Sequence, residues 1–310
     1  MELHPITASV MAFAILAGCA ASASVIPGVA PEGSEARGDV GEPERVMRFP
    51  LAVEGARGLS GLGFDENGAF WTVSEGDWGL IRLGDHRPPE IFQVNPAQEG
   101  LDLEGVASLG GGRFALATES RDERRSDRVV FVRVQQGEAR VEGEISLDYG
   151  EVGVSASSNR GLEGICSVGQ SLVAVGEPVV EREGERLAPV FVWRDGGSAV
   201  RSYLLRLTTA TGKISGVWCE PASGQSLRVF AIERHYEVMR IVEFQVEPGA
   251  PVGTVLDASL RVELQGEIEG DPNPEGLVRA RGRFWIMTDN WYGEISGPSE
   301  LIAVETAASR

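Results

Sequence analysis

The chain is poor in nitrogen and sulfur donors. Three histidines and three cysteines occur in 310 residues, with none of the paired spacing that a zinc site requires, so zinc chemistry is disfavoured from the start. Lysine occurs once, at Lys213. With the arginines it makes 28 cations against 46 acids, a formal charge of −18. Such a field repels phosphate backbones and anionic headgroups, which argues against nucleic acid as a partner. No Gly-x-Ser-x-Gly elbow is present, so a serine-hydrolase triad has no foothold. Beyond Met1 to Ser22 no stretch approaches the roughly 20 apolar residues needed to span a bilayer, and the folded part is expected to be soluble. Long helical patterns are missing as well. Glycine is abundant, at 40 residues, with 16 prolines and only 7% aromatics. The length would suit two average domains, or one large β domain.

Residues Ile6 to Leu16 form a short apolar run that ends in Leu16-Ala17-Gly18-Cys19. This resembles the lipobox of bacterial lipoprotein signal peptides, with Cys19 as the lipid-bearing first residue of the mature chain. Residues 1–18 are therefore expected to be a signal peptide, although Met1 to Pro5 lacks the usual Lys or Arg; the other reading is an ordinary signal cleaved nearby. Both readings export the protein to the periplasm or the cell surface. Residues 19–44, rich in Ala, Gly, Pro, Ser and Glu without apolar periodicity, have the composition of a disordered tether.

From Arg57 onward a unit recurs: a small or acidic residue, Gly, an apolar pair, a Gly-containing turn, then an alternating strand that ends in an acid. Its copies open at Ser60-Gly61, Glu104-Gly105, Glu163-Gly164, Ser215-Gly216 and Glu275-Gly276, spaced 44, 59, 52 and 60 positions apart. They close at Glu75, Glu119, Glu177, Glu233 and Asp289. Further alternating runs follow each pair, giving four strands per unit. Repeats of this length with several short strands are the signature of a β-propeller. Residues 45–306 are read as an all-β, five-bladed propeller whose last blade is completed by the run Arg45 to Val53, so that no long edge is left exposed. A degenerate sixth blade between Glu237 and Gly270 is the alternative.

In such a blade the start of the innermost strand and the end of the second share one face. Ser60, Glu104, Glu163, Ser215 and Glu275 would then ring the axis. Two carboxylates about 5 Å apart repel by roughly 3 kcal/mol at an effective dielectric of 20. The repulsion either raises pKa values or recruits a cation. All these donors are oxygen, which suits Ca2+; a water-filled channel with partly protonated Glu is the bland alternative. The closing acids Glu75, Glu119, Glu177 and Asp289, with Arg160 and His235, are the candidate catalytic residues beside that ring. Arg121, Arg124, Arg125, Arg128, Arg182 and Arg186 add guanidinium forks that match anions, unless they merely neutralise the nearby Asp122, Glu123 and Glu181. His235 is the histidine to test as a general base. Trp71 and Trp285 read as packing between blades, whereas Trp78, Trp291 and Tyr292 could wall a pocket. His86 reads as solvated. Cys166 and Cys219, on adjacent inner strands with opposite parity, stand where a disulfide could form in an oxidising compartment, or could remain two thiols.

The motifs Leu59-Ser60-Gly61-Leu62 with Phe64-Asp65, Asp102-Leu103-Glu104-Gly105, Asn159-Arg160-Gly161-Leu162-Glu163-Gly164 and Asn273-Pro274-Glu275-Gly276 with Thr288-Asp289-Asn290 resemble the phytase-like family with esterase-like activity. The order Ser, Glu, Glu, Ser, Glu is similar to that of calcium-activated apyrases, five-bladed propellers with an axial calcium. That resemblance implies calcium-binding roles for Ser60, Glu104, Glu163, Ser215 and Glu275. The expected function is an exported, calcium-dependent hydrolase of phosphate or carboxylic esters. It would be a monomer, acting on a small anionic ester and touching the membrane only through lipidated Cys19. The alternative is a non-catalytic propeller that holds a ligand or partner, with structural calcium.

Overall fold

The computed structural model describes residues 41–84, 87–120, 126–155, 157, 160–270, 272–290 and 298–306. The signal peptide, Cys19, the tether up to residue 40, His86, Arg121, Asp122, Glu123, Arg124, Arg125, Asn159, Trp291 and Tyr292 lie outside the described residues.

The strands are β1 (Arg45–Pro50), β2 (Leu59–Phe64), β3 (Phe70–Ser74), β4 (Gly79–Leu83), β5 (Glu90–Asn95), β6 (Leu101–Gly110), β7 (Arg113–Ser120), β8 (Ser126–Gln135) and β9 (Glu138–Asp148). After a single 3-10 turn at Tyr149–Val152 come β10 (Leu162–Val168), β11 (Ser171–Gly176), β12 (Val180–Arg182), β13 (Glu185–Arg194) and β14 (Arg201–Arg206). The chain continues through β15 (Lys213–Pro221), β16 (Leu227–His235), β17 (Val238–Val246), β18 (Val255–Asp257), β19 (Ser259–Glu263), β20 (Asn273–Ala280), β21 (Arg283–Asp289) and β22 (Glu300–Glu305). Alternating apolar residues and Gly-bearing turns make these hairpins, and the fold is an all-β propeller.

Strand pairing gives five antiparallel quartets: β2-β3-β4-β5, β6-β7-β8-β9, β10-β11-β13-β14, β15-β16-β17-β19 and β20-β21-β22-β1. The last closes as expected, with the N-terminal β1 antiparallel to β22 from Arg45↔Glu305 to Pro50↔Glu300. The stretch offered for a sixth blade is divided instead: β17 and β19 belong to the fourth quartet, and β18 lies parallel to β14 on the third. A second parallel contact, β5 to β9, joins the outer edges of the first two quartets. Both contacts cover outer-strand hydrogen-bonding edges that would otherwise be open.

The core is five apolar clusters, each shared by two successive quartets. Trp71 and Leu80 meet Leu116 and Val130 between the first and second; Phe191 meets Leu147 between second and third; Tyr203 meets Phe244 between third and fourth. Phe230 meets Phe284 between fourth and fifth, and Trp285 meets Phe70 between fifth and first. The ring of quartets is thus closed by side-chain packing as well as by β1. Trp71 and Trp285 act between blades as expected: their rings lie 4.4 Å from Phe114 and 5.0 Å from Phe70. Trp78 does not wall a pocket. It is buried, and its Nε1 donates to Leu101 O at 2.8 Å, tying the first quartet to the second.

Cys166 on β10 and Cys219 on β15 form a disulfide across two neighbouring quartets, with Cα atoms 5.6 Å apart. The inner strands approach far more closely than the usual separation of stacked sheets, about 10 Å. The repeat's glycine is the reason. A Cβ on Gly61 would lie 2.7 Å from Gly105 Cα; on Gly105, 3.1 Å from Ile165 N; on Gly164, 2.8 Å from Ser215 O. On Gly216 it would lie 2.7 Å from Gly276 Cα, and on Gly276, 2.5 Å from Leu62 N, which returns to the first quartet. The five glycines form a closed backbone ring at the axis, a contact that no side chain permits.

Candidate functional site

Immediately before each ring glycine stands the residue that opens the unit, and there the hairpin register breaks. Shifts occur between Ser60 and Gly63, Leu103 and Gly105, Leu162 and Gly164, Ile214 and Val217, and Pro274 and Gly276. Glu104, Glu163 and Glu275 are thus each the extra residue of a β-bulge, which re-aims a side chain out of the regular alternation. All three carboxylates are buried, as are Ser60 and Ser215.

Burial is the main cause that raises the Glu104 carboxyl well above its ordinary value, reinforced by the charges of Glu75, Glu119, Glu163 and Glu275. Glu163 is raised for the same reasons, with Glu275, Glu177 and Glu119 facing it and Arg234 opposing. Glu275 is raised by burial, against the pull of Arg234. Glu104, Glu163 and Glu275 thus share one electrostatic field with Glu75, Glu119 and Glu177. The two serines spend their hydroxyls on neighbours: Ser60 Oγ donates to Glu104 O at 2.9 Å, with Glu104 Oε2 at 3.2 Å, and Ser215 Oγ donates to Pro274 O at 2.9 Å.

The closing ring differs from expectation at one position. The residues that immediately precede the openers, Leu59, Leu103, Leu162, Ile214 and Pro274, pair with Ser74, Thr118, Gly176, Glu233 and Thr288. The residue after each is Glu75, Glu119, Glu177, Arg234 and Asp289, so the fourth member of the ring is Arg234 and not Glu233. Glu233 instead accepts from the backbone N–H of Thr208 and Thr209, at 3.1 and 3.0 Å, and from both hydroxyls. It braces the loop that leads into β15.

Arg234 Nη2 donates to Glu275 Oε1 at 2.6 Å, and Asn273 Nδ2 donates to the same oxygen at 2.6 Å. Glu275 Oε2 and Arg234 Nε are buried without a hydrogen-bond partner. Burial alone would lower the Arg234 pKa, but the charges of Glu275 and Glu163 outweigh it and hold the guanidinium above its ordinary value. Lys213, the cross-strand neighbour of Arg234, donates from Nζ to Glu177 Oε1 at 2.7 Å.

Glu119 accepts from Gly161 N at 2.5 Å, yet burial raises its carboxyl to about 8, aided by Glu177, Asp127 and Asp102. Asp127, which sequence reasoning did not single out, accepts from Tyr149 Oη at 2.7 Å and Leu162 N at 3.2 Å. These two carboxylates clamp the turn that delivers Glu163. His235 stands at the rim, its pKa lowered by burial and by the cations Lys213, Arg186 and Arg234. Arg160 is exposed, and its N–H donates to Ser157 O at 3.1 Å; the cation that acts on Glu163 is Arg234. Arg186 donates to Gly212 O at 2.8 Å, Arg182 to Val152 O, and Arg128 to Gln98 and Glu144.

Among the described residues no three Asp, Glu, His or Cys side chains stand together as a ready metal cluster. The donors facing the axis are nevertheless all oxygen, and Glu275 Oε2 is a buried acceptor left open. That set fits a hard cation such as calcium. Beyond the glycine ring, Leu62, Val106, Ile165, Cys166 and Trp218 line a separate cavity of about 30 Å³.

A family model described as SdiA-regulated matches residues 48–180. Three of the four motif groups that resembled the phytase-like family lie within this match and the fourth, at Asn273 to Asn290, lies outside it; the family matched is not the phytase-like one. No curated protein matches the chain. Among solved structures, the PQQ-bound aldose sugar dehydrogenase from Streptomyces coelicolor is similar at 13% identity and a TM-score of 0.47, over 86% of this chain and 99% of that one. A putative oxidoreductase (glucose dehydrogenase) from Thermus thermophilus is similar at 9% identity and a TM-score of 0.48, over 84% and 100%. The calcium-binding protein regucalcin from Agrobacterium tumefaciens is similar at 13% identity and a TM-score of 0.42, over 77% and 70%.

Proposed function

We propose that the chain is an exported calcium-binding propeller that hydrolyses small anionic esters, phosphate or carboxylic, on the face where its inner strands begin. The observation that carries this reading is the convergence of Glu104, Glu163 and Glu275 from three bulges, each buried and facing other acids. One arginine does not balance them, and Glu275 Oε2 is left open. Glu104, Glu163 and Glu275 would hold the calcium, with Ser60 and Ser215 lining its place. Bound calcium supplies a Lewis acid for the ester oxygen.

The remaining roles belong to the chain itself. Lys213, Arg186 and His235 lie together at the rim and favour an anionic group there. Glu119, with its carboxyl raised to about 8, can take up or release a proton near neutral pH. His235, held below its ordinary value, is neutral there and can accept one. Glu75, Glu177 and Asp289 set the field around these groups, and exposed Arg160, three residues before Glu163, would meet a substrate's outer anionic group. The motif-level resemblance to the phytase-like family and to calcium-activated apyrases supports the same reading. The Cys166–Cys219 disulfide supports export, as does the lipobox-like leader with Cys19 as membrane anchor.

The second reading, a non-catalytic binding propeller with structural calcium, is favoured by the engagement of Glu119 with Gly161 N and of Glu177 with Lys213. A panel of chromogenic phosphate and carboxylic esters, assayed with calcium and after chelation, tests both. Turnover that needs calcium and is lost in Glu163→Gln supports the hydrolase. A calcium-stabilised melt with no turnover supports the binding propeller. A melt indifferent to calcium, with no metal by elemental analysis, refutes both.

A further inference from the structure

We propose that Arg234 is a tethered counter-ion of the axial site, holding Glu275 until a divalent cation takes its place. The proposal rests on the reading of the axis as a calcium site. Arg234 occupies the position that four other quartets give to an acid, so it is the one cation the repeat itself aims at the carboxylates.

Its hold on Glu275 is incomplete. A guanidinium can grip both oxygens of a carboxylate in a parallel fork. Here one oxygen, Oε1, receives both Arg234 Nη2 and Asn273 Nδ2 at 2.6 Å, while Oε2 is buried with nothing donating to it. Arg234 Nε is likewise buried and unpartnered. A half-satisfied buried pair rearranges at lower cost than a fully satisfied one. A divalent cation on Oε2 would sit within a few ångströms of the guanidinium, and in so buried a place two positive centres on one carboxylate repel strongly. Occupancy by the cation and by Arg234 therefore excludes one another.

The displaced side chain has somewhere to go. Arg234 is a quarter exposed, and it lies across the strand pair from Lys213 and beside His235 at the rim. Turned outward, its fork joins Lys213, Arg186 and His235 where an anion would bind. Cation binding then favours anion binding, and by linkage the reverse holds too.

Calorimetric titration of calcium into wild type and Arg234→Met, at one matched pH, reads the competition directly. The variant should bind calcium tighter by at least about tenfold. Orthophosphate should bind wild type more tightly with calcium than without, and that difference should vanish in Arg234→Met. Equal or weaker calcium binding by the variant overturns the inference and leaves the axial calcium standing. No calcium binding by either protein overturns both. If Arg234→Met does not fold, the wild-type Arg234 Nε–H resonance, assigned with Arg234→Lys, serves instead. It should be protected from exchange in chelator and lose that protection on calcium saturation; a signal that does not move overturns the inference.

Discussion

The glycine ring makes a quantitative demand on stability, and Gly276→Ala is its sharpest probe. Gly276 lies outside the left-handed region, so an alanine there carries no backbone strain of its own. Gly61, by contrast, has φ +62°, and a substitution there would mix strain with clash. The new Cβ at 276 would stand 2.5 Å from Gly61 C and Leu62 N and 2.7 Å from Leu62 Cβ, mostly backbone that cannot rotate away. Overpacking of this kind costs about 1–3 kcal/mol, and the loss of glycine's freedom in the unfolded chain returns about 0.4–1 kcal/mol. With backbone on both sides of the contact the upper end applies, and the net is about 2 kcal/mol. At roughly 2–4 °C per kcal/mol for chains somewhat shorter than this one, the melt should fall by roughly 4–8 °C. Differential scanning calorimetry in chelator would measure it. Gly143→Ala is the control, because nothing lies within 4 Å of its would-be Cβ and its φ is not positive. If Gly276→Ala melts with the control, the inner strands do not touch as described.

Two further outcomes follow from the same geometry. Glu119 is raised from 4.5 to about 8, so between those values the folded chain keeps a proton that the unfolded chain has released. Its stabilising contribution is complete below about pH 4.5 and is lost as pH rises through about 8, and Glu104 and Glu163 add in the same direction. In chelator the urea midpoint should fall across that window and Glu119→Gln should flatten the fall; a midpoint that rises would reverse the assignment. The disulfide spans 53 residues of sequence, and Cys166→Ala with Cys219→Ala should cost about 2–4 kcal/mol of unfolding free energy. An unchanged urea midpoint in reductant would show that the bridge does not constrain the chain.

Much of the fold was legible because its periodicity is simple. Ser60-Gly61 through Glu275-Gly276 recur with alternating strands after them, and Arg45–Pro50 was the one run left to pair with Glu300–Glu305. The convergence of the opening residues was legible for the same reason. What alternation hides is anything that breaks it. A bulge shifts parity by one, so the side of the strand that Glu104 or Glu163 occupies cannot be counted from the strand's ends. The same slip made Glu233 look like the closing acid of its unit. A local signal existed: Ser74, Thr118, Gly176 and Thr288 precede the other closing acids, whereas Ile232 precedes Glu233, which marks Glu233 itself as the misplaced member. Trp78 was misread because it follows a closing acid in sequence, yet a φ of 51° at that residue turns its ring into the cleft between quartets. The parallel addition of β18 to β14 joins residues about fifty positions apart through a three-residue strand, β18, too short to carry a pattern.

The axial site is the cost of closing the ring so tightly. Glycine brings the inner strands into backbone contact, and the bulge beside each glycine turns the preceding side chain toward the same axis. Were those side chains apolar the centre would be an ordinary core. Instead Glu104, Glu163 and Glu275 lie there within one another's fields, with Glu75, Glu119, Glu177 and Asp289 around them, and burial and like charge hold the raised carboxyls against ionisation. Packing does not ask for such an arrangement, since apolar side chains of similar volume would fill the same positions with no charge to bury. Arg234 offsets the repulsion only in part and leaves Glu275 Oε2 without a donor. Carboxyls that burial and mutual repulsion hold against ionisation, with donors all of one hard chemical type, are the physical ground on which the calcium proposal rests.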